Sequence, residues 1–231
     1  MESVVKGVVI VGTKRMAFGT YGGKLSNTFL SDIQATSIKA ALTSGGVKPE
    51  LVDSVNVGNV LSNSDEGGIF TARHAALKSG IPIETPALGI NKLCGSGFQA
   101  VATSCHDINT GLVEIPLAGG VDNMSAVPFS ARNIRFGVRL GQNIVLEDSL
   151  WLSLTDTYSA QTLTCAKELK LDINELNVNG GAIAIGPPLA ASGARITAHL
   201  VHELRRRKAK QGIGSACIGG GQGITVLIES L

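Results

Sequence analysis

Ala87-Leu88-Gly89-Ile90-Asn91-Lys92-Leu93-Cys94-Gly95-Ser96-Gly97-Phe98 is the stretch on which the reading of this chain turns. The apolar run from Ala87 to Leu93 has the length of a buried strand, and it delivers a cysteine to a Gly-Ser-Gly turn. Phe98, Val101, Ala102 and Cys105 then recur at helical spacing, so a helix follows at once. Cys94 therefore falls at a strand-to-helix junction. Backbone N–H groups and the positive end of the helix dipole favour a thiolate there. A thiolate is a nucleophile, which makes the junction a candidate for covalent catalysis. The alternative reading is a small buried hydrophobe, the usual lot of a cysteine outside a disulfide.

Outward from this unit, strands and helices alternate. Val4 to Gly12 is a β-rich apolar run. Residues 31–44 place Ile33, Ile38, Ala41 and Leu42 on one helical face, and residues 68–79 do the same with Ile69, Ala72, Ala76 and Leu77. Val52 to Val60 and Glu114 to Ala118 read as strands, the latter running into Gly119-Gly120. This order predicts an α/β fold: a mainly parallel sheet with helices on both faces. The regularity stops after Met124. Residues 125–158, punctuated by Arg132, Arg135 and Arg139, read as a loop or small lobe. A helix over about 159–170 follows, then a glycine-rich stretch over 179–186. A second helix over about 192–208 carries Ile196, Leu200, Val201 and Leu204 on one face. Residues 212–229 read as a hairpin around Gly219-Gly220-Gly221-Gln222-Gly223.

Composition narrows the function classes. The 231 residues are 44% hydrophobic and 16% charged, enough for one or two domains with a sizeable core. A net charge of +2, without basic residues interleaved with aromatics, gives no nucleic-acid signature. No apolar run reaches membrane-spanning length, so no membrane partner is expected. Cys94, Cys105, Cys165 and Cys217 have neither disulfide-framework nor metal-site spacing, which predicts a reducing compartment and no metal. The N-terminus carries no secretory charge pattern and no Arg-rich leader.

Four motifs, taken in order, resemble those of the thiolase family. Residues 90–98, INKLCGSGF, resemble its nucleophile motif. Gly119-Gly120-Val121-Asp122-Asn123-Met124-Ser125 is similar to its Gly-Gly-x-Glu-x-Met-Ser stretch. Residues 177–186, NVNGGAIAIG, resemble its histidine motif, and residues 214–223, GSACIGGGQG, its C-terminal cysteine motif. RNIRFG (132–137) and LEDSLWLSLTD (146–156) resemble the mitochondrial 3-ketoacyl-CoA branch in particular, which implies a mitochondrial location. The resemblance implies a thiolase-like fold in three pieces. Residues 1–125 are an N-terminal half-domain without its last strand, 126–158 a remnant of the loop domain, and 159–231 a truncated C-terminal half-domain.

It also shows what is gone. The match leaves the family pattern between about Leu154 and Gln161 and resumes deep in the second half. Most of the loop domain, the last strand of the first half, the opening strands of the second half, the Asn-Glu-Ala-Phe motif and most segments that wrap coenzyme A are missing. Where the family reads Gly-His-Pro-Leu-Gly, this chain reads Gly186-Pro187-Pro188-Leu189-Ala190. Pro187 has no titratable group and cannot take a thiol proton. Ala190 in place of glycine strains the turn if that position requires positive φ.

The family's reaction moves an acyl group between 3-ketoacyl-CoA and coenzyme A through an acyl-cysteine. By resemblance, Cys94 carries the acyl group and Cys217 exchanges the α-proton of acetyl-CoA. The N–H groups of Cys94 and Gly219 form one oxyanion hole. Coenzyme A enters as a substrate and no cofactor is required. The second oxyanion hole needs the absent histidine and a water held by the absent asparagine. General acid–base help contributes about 10²–10⁴-fold and one oxyanion donor about 10²–10³-fold, so losing both leaves little turnover. Two functions remain: a severely impaired thiolase-type acyltransferase, or a catalytically dead remnant that at most binds a full-length thiolase. The chain itself forming an oligomer is compatible with either.

Other residues carry plainer readings. His74 lies on a helix and reads as structural. His199 and His202 share a helix face but have no third ligand in view. Arg205, Arg206, Arg207 and Lys208 suit a helix C-terminus, with a CoA-phosphate site as the minority reading. Cys105 and Cys165 read as core. The first half should keep four strands with an exposed sheet edge, and the remainder should attach loosely to it.

Overall fold

The structure, a computed structural model, describes residues 7–64, 67–150 and 159–231. At its centre is β1 (Ser54–Gly58), all five residues of which are buried. It is preceded by α1 (Leu30–Gly45) and followed by α2 (Thr71–Lys78), β2 (Ala87–Ile90), α3 (Ser96–Asn109) and β3 (Pro116–Gly120). The strands form a parallel sheet in the order β2-β1-β3, with Val57 opposite Gly89 on one side and Gly119 on the other. The pleat sends alternate residues of β1 to opposite faces. Val55 and Val57 pack with Leu30, Ile38 and Leu42 of α1 and with Ala72, Ala75 and Ala76 of α2. Asn56 faces α3, where its Nδ2 donates to Ser104 Oγ (3.0 Å) and Asp107 Oδ2 (3.2 Å). Helices thus cover both faces, as the alternation of elements predicts.

The sheet has three strands, not the four expected. Residues 8–12 form no ladder, and Val9 and Val11 are about half exposed; residues 4–6 of that expected strand lie outside the described residues. The physical reason is the lack of a neighbour. β-rich sequence becomes strand only against a paired edge, and a cavity separates this segment from β3.

The expected small lobe contains a short antiparallel ribbon, β4 (Phe129–Ala131) with β5 (Leu146–Asp148). The Arg132 Nε to Glu147 Oε2 ion pair, 2.9 Å, spans it. The end of that lobe, 151–158, where the break from the family pattern begins, lies outside the described residues.

The remainder comprises α4 (Ser159–Glu168), the single turn α5 (Ala182–Ile185), α6 (Ala191–Arg207) and a hairpin of β6 (Gln211–Ile218) and β7 (Gln222–Glu229). Loose attachment is not what the structure has. α6 crosses α3 so closely that a Cβ on Gly193 would lie 2.7 Å from the carbonyl carbon of Gly97. The hairpin packs on α6, Gly214 against Ile196 and Gly212 against Leu200 and Leu204. Among the described residues 159–231 form no sheet beyond this hairpin. Ala166 is the buried residue of α4, and Cys165 is exposed, contrary to its core reading. Adjacent positions on a helix point in different directions, and this helix turns Ala166 inward. Among the described residues no helix is long and apolar enough to cross a membrane.

Candidate functional site

Cys94 is set by a backbone elbow between β2 and α3. Leu93 has φ of 49°, a left-handed conformation that L-residues other than Gly, Asn and Asp seldom adopt. It reverses the chain in one step, so that the next residues enter the helix. Two 4→1 backbone hydrogen bonds close the turn, Gly95 N to Lys92 O (3.0 Å) and Ser96 N to Leu93 O (2.9 Å). Ser96, fully buried, locks it: its hydroxyl accepts from Lys92 N (2.8 Å) and donates to Leu93 O (2.6 Å). Cys94 sits one residue before Gly95, the cap of α3. It is 8% exposed and packs with Leu61, Leu150 and Leu189, bordered by Met124.

The two cysteine motifs meet here. Ile218 lies against Gly95, where a Cβ would come within 2.8 Å of Ile218 Cγ1, and the isoleucine is almost wholly buried. Cys217 and Gly219 flank Ile218 and are half-buried. Gly220 and Gly221, at φ of 81° and 75°, turn the chain immediately after. Cys94, Cys217 and Gly219, the residues singled out in the sequence, thus lie around one contact. The altered histidine motif arrives through Leu189, buried in the Cys94 cluster at φ of 40°. Pro187, two residues earlier, is half-buried. Gly186 ahead of it takes φ of 83° and ψ of 157°, the extended ψ that a residue before proline needs. Ala190 has ordinary helical angles, φ −61° and ψ −27°. The strain expected at Ala190 falls on Leu189 instead.

Asp122 received no role from the sequence, although it ends a strand directly after Gly119-Gly120. Its Oδ1 accepts from Asn59 Nδ2 (3.0 Å), Val60 N (3.0 Å) and Leu61 N (2.8 Å), and its Oδ2 from Ala190 N (2.7 Å). It therefore joins the loop after β1, the end of β3 and the start of α6 beneath the Cys94 cluster. Burial pushes its carboxyl up to about 7, against the four N–H donors, each of which favours the carboxylate. Asn123 next to it donates to the carbonyls of Leu25, Ser26 and Thr28 and pins that loop to the sheet.

A cavity of about 790 Å³ lies elsewhere, between residues 7–21, β3 and α6. It reaches Met124 and Pro187 but not Cys94. The remaining candidates keep their plainer readings. His74 stacks on Phe70 at 6.1 Å. His199 and His202 belong to no metal-sized cluster among the described residues. Arg206 and Arg207 are paired with Glu203. Burial pushes the Cys105 thiol up, as befits a packed side chain. None of the four cysteines is disulfide-bonded.

Comparison with known proteins joins these observations. Mitochondrial 3-ketoacyl-CoA thiolase of Homo sapiens is 32% identical over 395 aligned positions, spanning 99% of each chain. A chain of 231 residues cannot fill that alignment, so about 160 positions of the relative have no counterpart here. The crystal structure of the human mitochondrial enzyme superposes with a TM-score of 0.93 at 32% identity, over 99% of this chain and 100% of that one. The same enzyme in complex with CoA matches at 0.90, over 96% and 97%. The thiolase C-terminal domain family matches residues 123–230 and the thiolase N-terminal domain family residues 8–174. The latter alone covers well over half of the sequence, and this chain belongs to the thiolase family.

Proposed function

We propose that this chain keeps the acyl-accepting half of thiolase chemistry and has lost most of the turnover. In this reading Cys94 Sγ attacks the carbonyl carbon of an acyl-CoA. The C–S bond to CoA breaks, the CoA thiolate takes up a proton, and an acyl-Cys94 thioester remains. With a 3-ketoacyl-CoA the bond that breaks is carbon–carbon, and Cys217 supplies the proton to the departing acetyl-CoA α-carbon. The N–H groups of Cys94 and Gly219 steady the oxyanion. Substrates are acyl-CoA and CoA, with no cofactor beyond them, and the location is mitochondrial by likeness to the mitochondrial relatives.

The observation that carries the reading is the Leu93–Ser96 elbow, which holds Cys94 at the head of α3 with the Cys217 motif beside it. Impairment follows from Pro187, which offers no base where the family has histidine. The test is intact-mass spectrometry after incubation with acetyl-CoA. One acetyl adduct on the wild type, absent from Cys94→Ser, is expected, with CoA-dependent cleavage of acetoacetyl-CoA at or near background.

A second reading, a non-catalytic remnant that binds a full-length thiolase, has Pro187 and the buried position of Cys94 in its favour. It predicts no adduct, and co-elution with the full-length enzyme on size exclusion.

A further inference from the structure

Among the described residues β3 pairs with β1 on one side only, so its other edge presents the C=O of Pro116 and the N–H and C=O groups of Ala118 and Gly120. That edge opens onto the 790 Å³ cavity. All five residues of β3 line it, as does every residue from Gly7 to Gly12 across from them, a segment with no ladder of its own. The cavity is thus bounded by two unpaired backbones, which is the shape of a vacant strand position. Two buried polar atoms point the same way. Thr197 is 6% exposed, and among the described residues neither its Oγ1 nor Arg195 Nε has a hydrogen-bond partner. Both side chains line the cavity.

Charge narrows the occupant. Lys14, Arg15 and Arg195 line the cavity against two acids, Glu114 and Asp122, and Asp122 already accepts four hydrogen bonds. Among the described residues Arg195 takes part in no ion pair, and burial and the Arg15 charge both push its pKa down.

We propose that the slot between β3 and residues 7–12 receives one extended strand from another polypeptide, apolar at alternate positions and carrying a carboxylate for Arg195. Affinity comes from main-chain hydrogen bonds to the N–H and C=O groups of Ala118 and Gly120, which face away from β1, since Pro116 has no N–H to give. The carboxylate sets the register. Nothing in this requires Cys94 to react, so the proposal stands or falls apart from the acyl-transfer reading.

The probe is a fluorescein-labelled peptide, Val-Thr-Val-Asp-Val-Thr-Val, titrated against the full chain by anisotropy, with amide hydrogen exchange read on the free and bound protein. Saturable binding is expected, with exchange slowed about tenfold or more at residues 118 and 120 and across 8–12. The same peptide with proline for both threonines should not bind. Arg195→Gln should weaken the aspartate peptide about tenfold, a charge-assisted bond's share, and leave the asparagine version within about twofold. Equal binding of the proline peptide, or no binding at all, overturns the proposal. So does full protection of residues 118 and 120 in the free chain, which would mean that the molecule closes its own sheet. Displacement of nothing but dodecanoate from the cavity would make it a fatty-carboxylate site and equally overturn the strand.

Discussion

Leu93 holds a backbone angle that only the surrounding turn makes tolerable, and Cys94 is aimed by it. Strain of this kind costs about 1–3 kcal/mol and gathers at functional positions. A β-branched residue tolerates it least, so Leu93→Val should lower stability by about 1–2 kcal/mol in urea melts. Leu93→Gly should be nearly neutral there, because the side chain is exposed and relief of strain offsets the added chain entropy. Pro187→His restores a titratable group but not the asparagine motif. Acetoacetyl-CoA cleavage should stay at background in that variant, and recovered turnover would show that proline alone disables the site. Asp122 gives the chain a pH dependence. Its carboxyl is raised from 3.8 to about 7 in the fold. Between these values the unfolded chain has released the proton and the folded chain holds it. Stability from this group therefore falls as pH rises through that window and is level above it. Relative to Asp122→Asn, the wild type should lose at least about 1 kcal/mol between pH 5 and pH 8; a constant difference would show an ionised carboxylate throughout.

Among the elements, the crossing of α3 and α6 decides whether the C-terminal remainder stays attached. A Cβ at Gly193 meets main chain rather than a movable side chain, so Gly193→Ala should destabilise by about 1–3 kcal/mol. It should also speed amide exchange in the hairpin ahead of β1. Most of these elements are legible in the sequence because their signals are local. The spacing of Val201 and Leu204 puts α6 where it lies, and the Gly-Ser-Gly after a strand-like run announces the elbow. The contacts that join them are not local. Asp122 reaches Ala190 across 68 residues, and Leu189 reaches the Cys94 cluster from the far side of the described lobe. No periodicity encodes such pairings. The run of residues 8–12 misleads for the converse reason: its composition is that of a strand, but the neighbour that would make it one is absent.

At the scale of the molecule, one three-stranded sheet has helices on both faces, with a hairpin docked beside the Cys94 elbow. The site is assembled across that join: cysteine and elbow from the first half, Cys217, Gly219 and Leu189 from the remainder. Limited proteolysis should therefore cut in the lobe before it cuts between α6 and β6, and size exclusion with circular dichroism should report one cooperative fold. The central claim, that a nucleophile survives in a site stripped of its base, rests on Cys94 itself. Mass spectrometry of the chain after acetyl-CoA, followed by peptide mapping, addresses it most directly. One acetyl group on Cys94, formed in the wild type and in Pro187→His but not in Cys94→Ser, is the predicted result. An unmodified Cys94 in a folded chain would contradict it.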